Sequence, residues 1–348
     1  MNLRRCAIAA LFAVCLGQPA TAQENEPSIW PRLVADMRLV DDEQPEVRRW
    51  AAYYARYPDS FQRVLARAQP FLWHIVEAVE RRDMPAEIAL LPAVESGFDP
   101  HARSPQQAHG LWQFVPGTGR ALGLHTTRDY DARRDLVAST EAALDYLQDL
   151  HERFHDWHLA LAAYNVGSAR LTTLLRSQPD AADFWSLNLP RETHEHVRRL
   201  MGIALLVEMP QAFGVSLPAI PDRKTTELIA LERPVNLQRA AHRAGIDEAL
   251  IRAYNPGLQN LRNSSGKKVL VLPNAEAARM RAALASERFP PEGTAARNVV
   301  VYVVQPGDSL WQIARRYDVR VRDILRHNGL TDAAIIRPGR RIEVPVSS

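Results

Sequence analysis

Cysteine is almost absent from this chain of 348 residues: there are two, Cys6 and Cys15, both near the N-terminus. A disulfide framework for the rest of the chain is excluded, so a packed core has to hold it together. Charge of one sign is missing too. Lys and Arg number 43 against 40 Asp and Glu, a net charge of +3, and nothing in that balance supports nucleic-acid binding. Long apolar runs are equally scarce. The stretch from Cys6 to Leu16 is too short to span a bilayer as a permanent helix. It follows Arg4-Arg5 and precedes Ala20-Thr21-Ala22, which is the pattern of a secretory signal peptide over residues 1–22. Removing it takes away two arginines and no acid, bringing the net charge to +1. A periplasmic location is therefore expected. Membrane association would require lipidation at Cys15, and Val14 stands where a lipobox needs a small residue.

Cofactor signatures are also lacking. His151, His155 and His158 fall at i, i+4 and i+7, but no fourth ligand or HExxH pattern accompanies them. A solvated helix end explains them, and no metal or cofactor is expected. Gly117-Thr118-Gly119 lacks the lysine of a phosphate loop and reads as a turn.

What is present is ordinary globular material, 46% hydrophobic and 24% charged, in a length that suits two or three domains. From Trp30 to Met209 the pattern is helical. Apolar residues recur at three- and four-residue steps in Phe61-Val64-Leu65, in Phe71-Leu72-Ile75-Val76-Val79 and in Ala143-Leu144-Leu147-Leu150. Asp59-Ser60 and Ser139-Thr140-Glu141 offer polar starts for two of these helices. One mainly α domain over 30–218 follows. Pro218, Pro221 and Pro234 mark a change of composition. Beyond it, Val299 to Val304 reads as a strand, Gln305-Pro306-Gly307-Asp308 as a turn and helix cap, and Leu310 to Ala314 and Ile324-Leu325 as short helices. Arg341 to Pro345 closes a β-α-α-β unit over 301–346. A fainter copy lies upstream at 225–274: Leu237 falls on Leu310, Ala241 on Ala314, Ile246 on Val319, Ile251 on Ile324 and Asn255 on Asn328. Its closing strand, Val269 to Pro273, fits with a one-residue slip, and Pro234-Val235 replaces the Gly-Asp turn. Residues 275–298 would link the two.

The residues with the clearest chemistry are Ala93-Val94-Glu95-Ser96-Gly97, Gly110-Leu111-Trp112-Gln113 and Ala163-Tyr164-Asn165-Val166-Gly167. The stretch Ala86 to Leu91 has helical composition and Gly97 offers a helix stop, which puts Glu95 at a helix C-terminus. The negative pole of the helix dipole there disfavours a carboxylate and suits a group that must hold a proton. Asp99-Pro100 reads as the opening of the next turn rather than as a second acid.

In order and spacing these motifs resemble the lysozyme-like domain of the lytic transglycosylases, and the 301–346 unit resembles a LysM domain, which binds N-acetylglucosamine-containing glycans. The resemblance implies a lysozyme-like catalytic fold followed by βααβ modules, with peptidoglycan strands as the polymeric substrate. It implies Glu95 as the catalytic acid, cleaving the bond between N-acetylmuramic acid and N-acetylglucosamine and leaving 1,6-anhydro ends. It nominates Ser96, Gln113, Tyr164, Asn165 and His196 as substrate-binding or orienting groups. Ser96 could equally satisfy backbone groups at the helix end. Trp112, where relatives carry Met or Ile, reads as core. Relatives usually have Glu-Thr-x-x-Tyr-Val-Pro near the end of the domain, whereas this chain has Glu192-Thr193-His194-Glu195-His196-Val197-Arg198. Either His196 takes over from the tyrosine or the contact is lost. The degenerate 225–274 copy is expected to be structural rather than glycan-binding. Two rivals stand beside this reading: a goose-type lysozyme-like muramidase that uses water, and a non-catalytic wall-binding scaffold.

Overall fold

Helix Arg191–Glu208 is the spine on which the helical region assembles. Val197, Leu200, Met201 and every residue from Ile203 to Val207 are buried on it. It packs closely on helix Pro45–Ala55, and Gly202 allows this. A Cβ at Gly202 would stand 2.6 Å from the Cβ of Trp50 and 3.0 Å from the nitrogen of Ala51. Both helices are therefore fixed in register by a position that tolerates no side chain. The computed structural model describes residues 26–286 and 298–346, apart from 42, 182, 233, 266, 268, 329 and 331–335. The expected signal segment, 1–22, and both cysteines lie outside the described residues.

Helix Trp157–Val166 is buried through Ala160-Leu161-Ala162-Ala163 and packs against Leu136–Phe154 and Arg191–Glu208. Leu136–Phe154 buries Leu144, Leu147 and Leu150. Each such side chain contributes ~1.5–3 kcal/mol when removed from water, against ~1 kcal/mol for a good N-cap. Packing thus decides that this helix forms, and the cap decides where it begins. The cap is Asp135, whose side chain accepts from the backbone N–H of Val137 and Ala138 at 3.0 Å. This corrects the expected start at Ser139-Thr140, both of which are buried inside the helix. Likewise Pro58 opens helix Pro58–Arg67, and Asp59-Ser60 lies within its first turn. Gly117-Thr118-Gly119, expected as a turn, lies within the short helix Pro116–Ala121, with Pro116 in its first turn.

The run before Glu95 is split where a single helix was expected. Ala86–Leu90 is a 3-10 helix and Leu91–Glu95 a separate turn of α-helix. Pro92 is the cause, because it lacks the N–H that a continuous α-helix would need at that place. Glu95 is nonetheless the last helical residue, and Gly97 follows in the left-handed region at φ 61°. Nearby, the fully buried Glu87 accepts backbone N–H groups from Arg38, Leu39 and Val40, pinning that segment; burial still pushes its carboxyl up.

Strands among the described residues lie only beyond residue 225. Thr226–Ala230 pairs antiparallel with Val269–Pro273, and helices Leu237–Ala244 and Glu248–Tyr254 lie between them in sequence. This βααβ unit is packed onto the helical region. Lys267 reaches Asp135 in a buried ion pair, with side chains 0% and 3% exposed. Asp129 accepts from the side chains of Asn260 and Asn263 at 3.0 Å, and the N–H of Asp131 donates to the carbonyl of Gly257 at 2.9 Å.

The C-terminal unit repeats the plan. Asn298–Val303 pairs antiparallel with Arg341–Val346, with Leu310–Arg316 and Val321–His327 between. Ile313, Ala314, Ile324, Ile342 and Val344 form its core with Val304. Its first helix is capped by Ser309, which forms a capping box with Gln312; Asp308, the expected cap, instead accepts from the N–H of Gln305 and the hydroxyl of Tyr302. The relation between the two units extends to one hydrogen-bond pattern. Asn255 donates to the carbonyls of Ile251 and Val271 and accepts from the Val271 N–H; Asn328 does the same with Ile324 and Glu343. The one-residue slip of the closing strand is visible in that pairing.

Candidate active site

Glu95 faces a cleft of about 710 Å³ whose lining includes Gln113, Tyr146, Tyr164, Asn165, Glu192 and His196. The carboxylate is 15% exposed. Its Oε1 lies 2.8 Å from Nε2 of His196, a side chain only 7% exposed. The imidazole thus stands beside the acid, where it can donate to it, and the contact at this position is kept. Nδ1 of the same ring is buried without a hydrogen-bond partner. With Nε2 as the donor to Glu95, the other ring nitrogen is free to present a lone pair there.

Gln113 reaches the cleft from a loop held from behind. Its backbone is in the left-handed region at φ 50°, and its amide nitrogen donates to the carbonyl of Gly110 at 2.8 Å. The amide oxygen is left to meet a ligand. The loop rests on Arg133, which donates to the carbonyl of Gln107 at 2.9 Å and to Asp131 at 2.8 Å. Gly110 has φ 79°, and a Cβ there would lie 2.2 Å from the carbonyl oxygen of Arg133, so no other residue fits. Burial would raise the carboxyl of Asp131, but hydrogen bonds from Arg133 and His109 outweigh it and hold it below the usual range. The support is thus an ionised carboxylate clamped by a guanidinium.

Tyr164 lines the cleft, and no hydrogen bond joins it to Glu95 among the described residues. Its hydroxyl donates to the carbonyl of Trp112 at 2.8 Å, whereas the hydrogen bond to the acid is made by His196. Burial, with the nearby charge of Glu95, holds the Tyr164 hydroxyl well above its ordinary range, so it remains a donor. Asn165 accepts from the hydroxyl of Thr193 at 2.9 Å, which leaves its amide N–H groups for a ligand. Thr193 was overlooked as a site residue. Its signal was its place one turn before His196 on the same helix face. Ser96 resolves to its structural alternative: its hydroxyl donates to the carbonyls of Pro92 and Leu111, at 3.1 and 3.0 Å. It ties the acid's helix to the Gly110–Gln113 loop. Trp112 is fully buried and donates to Thr140, as a core residue should.

Asp99 accepts from the N–H of His101 two residues on, the expected turn. The three histidines at helical spacing serve separate ends: His151 stacks on Trp157, His155 closes its helix in a left-handed conformation, and His158 meets the carbonyl of Leu39. No group of side chains suited to hold a metal ion occurs among the described residues.

The Transglycosylase SLT domain family matches residues 74–185, and the LysM domain family matches 302–345. A third family, described as Lytic transglycosylase MltD, LysM-like domain, matches 225–288. Membrane-bound lytic murein transglycosylase D of Escherichia coli strain K12 is 34% identical over 339 residues, covering 94% of this chain and 75% of that protein. Membrane-bound lytic murein transglycosylase F 2 of Alkalilimnicola ehrlichii is 34% identical over 118 residues, which is 32% of this chain and 25% of that one. Among solved structures, the lytic transglycosylase Slt of Pseudomonas aeruginosa is similar over 42% of this chain and 25% of its own, at 25% identity and a TM-score of 0.32.

Proposed function

The chain belongs to the lytic murein transglycosylases, and from that premise we propose that Glu95 is both the general acid and the general base of the reaction. Glu95 gives its proton to the oxygen linking N-acetylmuramic acid to N-acetylglucosamine, and the C1–O bond breaks. The 2-acetamido carbonyl of the muramoyl sugar stabilises the oxocarbenium-like centre, as in substrate-assisted glycoside cleavage. The C6 hydroxyl of the same sugar then attacks C1 and returns a proton to Glu95, closing the 1,6-anhydro ring. That attack is intramolecular, so it has an effective concentration that a loosely held water lacks.

One observation carries this reading: a single, nearly buried acid held by His196 at the head of the cleft. The other acids lining it are differently placed. Glu195 is bound by Arg191 at 2.7 Å and by Arg199 at 3.5 Å; the hydrogen bond from Arg191 holds it below the usual range, so it keeps no proton to give. Glu192 lies in the exposed first turn of its helix. We assign substrate contacts to Gln113, Tyr164 and Asn165, and the orienting of Glu95 to His196. The test is the product. Muropeptides released from purified sacculi should carry anhydro termini, one water lighter than a hydrolytic end; predominantly reducing ends would favour the muramidase.

His196 also gives a test of its own. His196→Tyr keeps a hydrogen-bond donor for Glu95 and should retain most of the turnover, whereas His196→Phe has no donor and should lose it. Equal turnover in the two variants would leave His196 without an orienting role.

The C-terminal unit is read as an anchor without chemistry, and the enzyme as one that works in the periplasm on cell-wall glycan. No helix of the described residues is long and apolar enough to cross a membrane. Deleting residues 290–348 should weaken pelleting with insoluble peptidoglycan by on the order of 10²-fold, because a linked second contact and its effective concentration are lost. Turnover of short soluble glycans should barely change. Equal losses on both substrates would show that the unit supports the catalytic fold instead.

A further inference from the structure

Beside the Glu95 cleft lies a second groove, of about 810 Å³, that the reaction above does not use. Helix Pro45–Ala55 forms one wall with Glu46, Arg49, Trp50 and Tyr53; helix Arg191–Glu208 forms the other with Arg191, His194, Glu195, Arg198 and Arg199. Arg191, Glu195 and Arg199 line both spaces, so the groove opens onto the cleft across the helix that carries His196.

Its chemistry is cationic over an aromatic floor. Trp50 and Tyr53 meet edge to face at 5.2 Å, and Tyr53 is half exposed. The guanidinium of Arg199 sits 4.6 Å above the Trp50 ring, which holds it out of a tight ion pair. Four arginines share two glutamates: Glu46 meets Arg49 at 3.5 Å, and Glu195 serves Arg191 and Arg199. Arg198 has no ion pair among the described residues, and its Nε is buried without a hydrogen-bond partner. Burial, together with the charge of Arg198, lowers the affinity of His194 for a proton, so the excess charge belongs to the arginines. A guanidinium cluster of this kind fits carboxylates, which it can bind in a fork.

We propose that this groove is a subsite for the anionic stem peptide of the murein strand whose glycan lies in the Glu95 cleft. The inference rests on the reading of that cleft. The glycan is uncharged along most of its length, whereas the peptide carried on the muramoyl lactyl group bears several carboxylates on a short backbone. A strand in the cleft would present that peptide beside the reacting sugar, where the arginines are. Trp50 and Tyr53 supply apolar contact for its alanine side chains.

The test compares two short soluble substrates with the full chain: a murein tetrasaccharide bearing its stem peptides, and the same tetrasaccharide stripped by an amidase. The wild type should show a KM ~10-fold lower for the peptide-bearing form, a difference that shrinks as salt rises. Arg49→Gln combined with Arg198→Gln should remove that preference by raising KM for the peptide-bearing form alone, with kcat changed less than about twofold. Equal KM values in the wild type, or equal losses on both substrates in the variant, would overturn the subsite while leaving the Glu95 chemistry standing. Absence of anhydro product from either substrate would overturn the cleft reading, and the subsite with it.

Discussion

Glu95→Gln should lower turnover of peptidoglycan by at least ~10²–10⁴-fold while binding to sacculi survives. Glutamine preserves the shape of the side chain and can still meet His196, but it has no proton to transfer. General acid–base catalysis alone is worth that factor. Here one group performs both transfers, so the loss should stand toward the upper end. The variant should also keep its fold, because Glu95 is an end residue of a five-residue helix and the only hydrogen bond of its side chain among the described residues is with His196. Turnover by sacculus solubilisation, read beside a pelleting assay, separates the two effects. A variant with near-wild-type turnover would place the acid elsewhere in the chain.

The second large effect is on stability. Lys267→Met should destabilise the fold by ~3–5 kcal/mol, because it leaves the carboxylate of Asp135 buried without its counter-charge. That is a large part of the ~5–15 kcal/mol by which native domains are stable. Asp135 also caps Leu136–Phe154, and Thr140 on that helix accepts from the indole of Trp112, whose carbonyl in turn accepts from Tyr164. Loss of the βααβ contact should therefore reach the cleft. Adding Asp135→Asn should recover much of the loss, since an amide keeps an oxygen for the cap and carries no charge to leave unpaired. Urea unfolding of the two single variants and the double variant measures the coupling. A loss below about 1 kcal/mol in Lys267→Met would mean that the 225–274 unit merely leans on the helical region.

Much of this was legible in the sequence because it is written in local patterns. Glycine after Glu95 ends a helix by its own backbone freedom, and the acid's place follows. Both βααβ units repeat the same spacing, so Asn255 and Asn328 could be aligned before their matching hydrogen bonds were visible. Most of what was missed depends on partners far away in sequence, with one local exception. Pro92 interrupts an otherwise helical composition, a local sign that was outweighed by the surrounding Ala and Leu. Asp135 looked like part of a charged loop until the N–H groups of Val137 and Ala138, and Lys267 from beyond residue 225, gave it two functions at once. The sequence placed Ser96 and Tyr164 in the right neighbourhood but not the carbonyls of the Gly110–Gln113 loop that their hydroxyls meet, because that loop is brought to them by the fold. The groove between Trp50 and Arg198 has no signal in either helix alone. It exists because Gly202 lets the two helices approach.

The claim that the substrate's own C6 hydroxyl, rather than water, completes the reaction is tested most directly by digesting sacculi in heavy-oxygen water. The account predicts new muramoyl ends that are anhydro and carry no label, because no solvent oxygen reaches C1. Labelled reducing ends formed from the first turnover would contradict it.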